Sequence, residues 1–243
     1  MDRGLMAWIV VAAVVGLLLG PLLRAQVLVH AVPAGEPWRH TCPHCAEPLP
    51  AAFLPPTGRC PRCRARVGPP PALVEGVAAA ALALVAWRIR EPLPLLAVAW
   101  VVLLGVVLAH VDFAVRRLPD RLTLSAAGGA LVLFGLSAVA DGEWGRLASA
   151  VACALAVAAF YLVLVLISPN GMGLGDAKAA LSVGLVAGWF GWGIAVAAAV
   201  AGFLLAGLYA TGLLLLRRAG RKDHIAHGPF LLLGGLAALA VLL

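Results

Sequence analysis

Charge is scarce in this chain. Asp, Glu, Lys and Arg make up 12% of its 243 residues, and only two of the 18 basic residues are lysines. A soluble domain carries about twice that share of charge. Hydrophobic residues reach 63% and mean hydropathy is +1.02. Such a surface cannot be wetted, which excludes a disordered chain, a secreted disulfide scaffold and an ordinary cytosolic enzyme. Period-2 alternation is also missing from the apolar stretches, so strands do not account for them. The Gly-x-Gly-x-x-Gly and Gly-Lys-Ser/Thr spacings that grip phosphates are absent, as is any His/Ser/Asp or Cys/His set within the apolar runs. The chain reads as an all-α protein dissolved in lipid.

Apolar stretches long enough to cross a bilayer fall at about 5–23, 71–87, 93–115, 122–140, 147–167, 177–193, 194–216 and 226–243. Helices are required, because lipid offers no partner to an unpaired backbone group. The expectation is about eight transmembrane helices, with the boundary near Gly191–Gly193 the least defined. One positive charge precedes the first run, which outlasts a cleavable signal, so it is read as a retained anchor. The division is an anchor (1–24), a cytosolic zinc-binding loop (25–70) and a seven-helix membrane domain (71–243).

The net charge of +7 matters here through its distribution, and nucleic acid is not an expected partner. With eight spans and the N-terminus outside, fourteen of the basic residues fall in loops one, three, five and seven, from Arg24–Arg66, Arg116–Arg121, Lys178 and Arg217–Lys222. Only Arg3, Arg88, Arg90 and Arg146 fall on the other side. That asymmetry places the odd loops in the cytoplasm.

Four of the five cysteines form Cys42-Pro43-His44-Cys45 and Cys60-Pro61-Arg62-Cys63, 14 residues apart. Two such turns present four thiolates, which suits a closed tetrahedral zinc site. A cytosolic location disfavours disulfides. A closed shell leaves no place for a reacting water, so the metal is read as structural, ordering a loop too polar and Pro-rich to build its own core. His40 and His44 are not needed as ligands. Cys153, in the fifth run, reads as a small buried apolar residue.

Three acids sit uncomfortably in or beside apolar runs: Glu75, Asp112 and Asp176. An ionisable group at membrane depth is costly and therefore a candidate for function. Asp112 ends the run Leu93–Val111, and could alternatively pair with Arg116 on the same helical face. Asp120 follows Pro119 and reads as a helix N-cap. Asp176 closes Gly171-Met-Gly173-Leu-Gly175-Asp-Ala-Lys178, whose glycines let another chain approach closely. Asp112 and Asp176 are both expected at the cytoplasmic boundary. Two neighbouring carboxyls share a proton, so that one activates water while the other polarises a carbonyl. That is aspartic-protease chemistry.

In these motifs and their order the sequence resembles the type IV prepilin peptidase family, the bacterial Gly-x-Gly-Asp intramembrane aspartic proteases. The resemblance covers the two cysteine knuckles, Leu73-Val74-Glu75, Asp112 seven residues before Pro119-Asp120, the Gly171–Lys178 loop and Gly228-Pro229-Phe230-Leu231. It implies removal of the basic leader of prepilins or pseudopilins at the cytoplasmic face of the bacterial inner membrane. Asp112 and Asp176 match the catalytic pair. It further implies, for many members, methylation of the new N-terminus with S-adenosylmethionine. The segments Gly20-Pro-Leu-Leu-Arg24 and His30-Ala-Val-Pro33 depart from the family pattern in the region tied to methyl transfer, which leaves that activity open. Glu75 matches a family acid and reads more readily as half of a buried ion pair.

The resulting expectation is a membrane aspartic endopeptidase in which Gly173 and Gly175 make room for the substrate backbone. A second enzyme reading, a presenilin-type protease acting on other helices, is suited by Leu174 in the Gly-Leu-Gly-Asp loop, but no Pro-Ala-Leu motif lies near the C-terminus. A non-catalytic scaffold for pilus or secretion assembly, with the zinc loop binding a partner, would keep the two aspartates apart.

Overall fold

The computed structural model describes residues 3–49, 57–168, 172–217 and 226–243. The expectations that involve Pro50–Pro56, Gly171 and the basic residues Arg218, Arg221 and Lys222 lie outside the described residues. The described chain is helical, in the order α1 (Arg3–His30), α2 (Leu73–Arg88), α3 (Pro92–Val115), α4 (Asp120–Asp141), α5 (Trp144–Ile167), α6 (Leu174–Phe190), α7 (Trp192–Leu215) and α8 (Gly228–Leu242). Five of them, α1, α3, α4, α5 and α7, are long and apolar enough to cross a membrane. At 16, 17 and 15 residues, α2, α6 and α8 measure only about 22–26 Å, against a hydrocarbon layer of about 30 Å.

The short α6 is the hub, in contact with α3, α4, α5, α7 and α8. Its small residues allow this. A side chain at Gly184 would run into the backbone of Ala154, and one at Gly188 into Cys153. Two glycines four apart thus form a smooth stripe against which α5 lies, the close approach that packs helices where lipid supplies no hydrophobic force. Cys153 is buried in this seam, the structural role expected of it. Trp189, near the far end of α6, stacks on Phe134 of α4 with ring centroids 4.6 Å apart.

The loops separate into two ends. At one, Arg117 Nη1 in the α3–α4 turn donates to Pro33 O in the α1–α2 loop over 3.1 Å, and its guanidinium lies over Trp38. Lys178 of α6 pairs there with Asp120 of α4. At the other end, Arg146 pairs with Glu91 and Glu143 and lies over the Trp189 ring.

The first helix continues to His30, past the expected limit at residue 24. Pro21 lies inside it without ending it. The extension is held by burial, since Ala25 and Leu28 pack into a small core with Cys42, Leu49, Cys60 and Val67. The sixth helix begins at Leu174 instead of 177, which puts Asp176 in its first turn. Asp120 is the first residue of α4 and Pro119 occupies the N-cap. Asp120 pairs instead with Lys178, at 2.7 Å.

Candidate functional site

The two knuckles repeat one geometry. In each, the first cysteine accepts an N–H four residues on, from Ala46 and Arg64, and both of these take positive φ, at 56° and 58°. One bridge closes each turn, Thr41 to Pro48 and Arg59 to Arg66. The four sulfurs lie within 4.8 Å of one another. Cys42 and Cys63 Sγ are 3.8 Å apart, and Cys45 and Cys60 Sγ 3.7 Å. Four thiolates about 2.3 Å from a zinc ion would be about 3.8 Å apart, so the donors fit a tetrahedral metal. The backbone N–H of Cys63, helped by that of Arg62, draws the Cys60 thiol down to about 7. His40 and His44 stand outside this cluster.

Beneath the knuckles, Arg24 of α1 is fully buried and its Nε lies 2.7 Å from Glu75 Oε1 of α2. A side chain at Gly20 would collide with that of Glu75, so the glycine lets the acid reach Arg24. Glu75 is therefore half of a buried ion pair, the reading its sequence favoured.

Asp112 and Asp176 come from α3 and α6 and are both buried, at 5% and 7% exposure. Asp112 Oδ2 accepts the backbone N–H of Gly228 over 3.2 Å. In effect α3 caps α8 from outside. The first turn of a helix leaves N–H groups without partners. Those of Phe230 and Leu231 reach His227 O, Pro229 has none, and the Gly228 N–H goes to the carboxylate. Asp176 serves its own helix in the same way. Its Oδ2 accepts from Gly173 N over 3.1 Å, and its N–H returns to Gly173 O. Asp176 Oδ1 is buried and has no hydrogen-bond partner among the described residues. The two carboxyl groups act on one another electrostatically. Among the described residues no ion pair joins Asp112 to Arg116, which instead ends α3 in a left-handed conformation.

Leu118, between α3 and α4, links the two helix starts. A side-chain carbon at Gly175 would lie 2.8 Å from Leu118 Cβ, and one at Gly228 would lie 3.1 Å from Leu118 Cδ1 and 3.0 Å from Asp112 Oδ2. The space at Gly175 is thus filled by leucine. Gly173 is freer, with nothing nearer than 3.7 Å to such a carbon. Sequence reasoning missed Leu118, and also Tyr161 of α5, whose hydroxyl lies 3.0 Å from His227 Nε2. An apolar cleft of about 490 Å³ adjoins the site, lined by Phe113 beside Asp112, by Pro229 beside Gly228, and by α2 and α6.

Residues 95–216 match the model of the type IV leader peptidase family. The prepilin leader peptidase/N-methyltransferase of Aeromonas hydrophila is 31% identical over 214 residues, covering 83% of this chain and 71% of that protein. The enzyme of the same name from Aeromonas salmonicida is 32% identical, with 83% and 70% covered. One from Stutzerimonas stutzeri is 27% identical, with 96% and 91% covered. No solved structure matches the chain.

Proposed function

The chain belongs to the type IV leader peptidase family, and on that footing we propose that Asp112 and Asp176 are the reacting pair of a membrane endopeptidase. It removes the leader of prepilins, the activity in its relatives' name, and of pseudopilins of the same leader chemistry. The observation that carries the assignment is a pair of buried carboxyls, from helices distant in sequence, that act on one another electrostatically, Asp112 at the start of α8 and Asp176 at the start of α6. That arrangement also speaks against a scaffold.

In the reaction one aspartate is ionised and the other protonated. The ionised member takes a proton from water as the water oxygen attacks the scissile carbonyl carbon, while the protonated member gives its hydrogen to the carbonyl oxygen. The tetrahedral species collapses as the C–N bond breaks. The departing amine receives a proton, and the acid and base are restored. Asp176 Oδ1, which no described residue engages, is the oxygen that would take the proton from water. The substrate backbone passes along the open side of Gly173, while Gly175 lets Leu118 set the spacing between α6 and the α3–α4 turn. The cleft beside Phe113 suits an apolar stretch of substrate adjoining the cut.

The bundle end with the knuckles carries Arg39, Arg59, Arg62, Arg116 and Arg117, which supports a cytoplasmic location for it and an outside N-terminus in the bacterial inner membrane. Cys42, Cys45, Cys60 and Cys63 would hold a structural zinc ion that fixes the α1–α2 loop over this end. Methylation of the new amine by S-adenosylmethionine belongs to the proposal through the relatives' name, with no residue assigned to it.

The test is processing of a full-length prepilin in liposomes by Asp112→Asn and Asp176→Asn. Each is expected to lower turnover by roughly 10³-fold or more with zinc content and insertion retained. Processing at the parental rate by either variant overturns the pair.

A further inference from the structure

The hydrogen bond to Asp112 depends on where α8 begins, and α8 begins at a buried polar contact. His227 is the N-cap of α8, and its Nε2 lies 3.0 Å from Tyr161 Oη. Tyr161 is fully buried and His227 is 9% exposed. A buried hydroxyl and imidazole without partners would each carry a sizeable desolvation penalty, so the contact defines one position for both rings. Phe203 of α7 completes the cluster, with its ring centroid 5.4 Å from that of Tyr161 and 4.9 Å from that of His227. The start of α8 is thereby pinned between α5 and α7.

The next residue is Gly228, whose N–H reaches Asp112. His227 also gives its carbonyl to the N–H groups of Phe230 and Leu231, so one residue both anchors the first turn and leaves the Gly228 N–H as the donor directed outward. Tyr161 is in addition within electrostatic range of Asp176. The pair therefore stands behind both aspartates, from a third and a fourth helix.

Resting on the assignment of Asp112 and Asp176, we propose that Tyr161 and His227 are positioning residues for the reacting pair, acting through the Gly228 N–H. In this role they act through α8, not by contact with substrate or water. Their hydrogen bond fixes the register of α8, and α8 fixes the Asp112 carboxyl against Asp176. A displacement of about 1 Å at a reacting group can cost about 100-fold in rate, and the expected effect falls on turnover instead of substrate binding.

The experiment uses the full chain in liposomes with a full-length prepilin, and compares Tyr161→Phe, His227→Leu, their double variant and His227→Gln. Tyr161→Phe keeps the ring, and Gln can restore a polar partner to the hydroxyl. The expectation is a kcat lower by roughly 10- to 100-fold in both single variants with KM within about two-fold. The double variant should be no worse than the worse single, because one bond is lost in each case. His227→Gln should recover most of kcat. Equal loss of kcat in KM-raising fashion, multiplicative losses in the double variant, or full turnover in Tyr161→Phe would each overturn the proposal. Asp112→Asn is run alongside. If it processes prepilin normally, the assignment of the reacting pair fails. If it is dead while Tyr161→Phe is unimpaired, only the positioning role fails. Unfolding temperature and zinc content are read on every variant, and a kcat loss that tracks a fall in either also overturns the proposal.

Discussion

Arg24 and Glu75 form a buried ion pair, 2.7 Å apart, between the C-terminal part of the α1 rod and the first turn of α2. The guanidinium is fully buried, so neither charge is readily left alone. Removing one partner of such a pair costs about 3–5 kcal/mol, because the other remains uncompensated. Arg24→Met and Glu75→Leu should each lower stability by that amount in detergent unfolding, and the double variant by clearly less than the sum. Additive losses would show that the pair does not act as a unit.

A second expectation concerns Asp120, which lies eight residues after Asp112 of the proposed reacting pair yet is 62% exposed in its contact with Lys178. Exposed pairs contribute about 0–1 kcal/mol. Asp120→Asn should therefore keep prepilin processing within a few-fold of the parent, measured beside Asp112→Asn, which is expected to be inactive. Inactivation by Asp120→Asn would mean that the wrong acid has been assigned.

The seam between α5 and α6 supplies a third. At Gly188 a side chain would meet Cys153, and at Gly184 the backbone of Ala154. Gly188→Leu should destabilise the bundle by about 1–3 kcal/mol or more through overpacking, read as a lower midpoint of thermal unfolding. Unchanged stability would show that α5 and α6 are further apart than described.

Metal removal is the fourth. Thiolates bind zinc only when deprotonated, so acidification and chelation should both release it. One metal per chain is expected at neutral pH. Its loss should render Cys42, Cys45, Cys60 and Cys63 reactive to alkylation while Cys153, buried in the α5–α6 seam, stays protected. Labelling of Cys153 at the same rate would contradict the packing.

Much of this architecture was legible because lipid is a demanding solvent. Runs such as Leu93–Val111 can only be helices, and an aspartate that ends one is conspicuous. The paired Cys-x-x-Cys turns were equally readable, since four thiolates at that spacing suit one kind of site. Other features left no local trace. Residues 24–30 contain Arg24, Gln26 and His30, which disguised a helix whose apolar side is covered by the knuckles. Tyr161 and His227 are 66 residues apart, and Asp112 and Gly228 are separated by 116. Such partners follow from helix packing, not from spacing. Gly175 looked like room for substrate, but only the fold reveals that Leu118 fills it.

The length of α1 has a mechanical corollary. Its 28 residues make a rod of about 42 Å, whereas the oily slab is about 30 Å thick. Standing upright, the rod would leave roughly one quarter of its length outside the slab, and the cysteine module is bolted to its C-terminal end through Ala25 and Leu28. The elevation of the module is consequently set by covalent helix and not by the headgroups around it, so thinner or thicker bilayers should tilt or sink the whole assembly without changing how the module sits over its own helices.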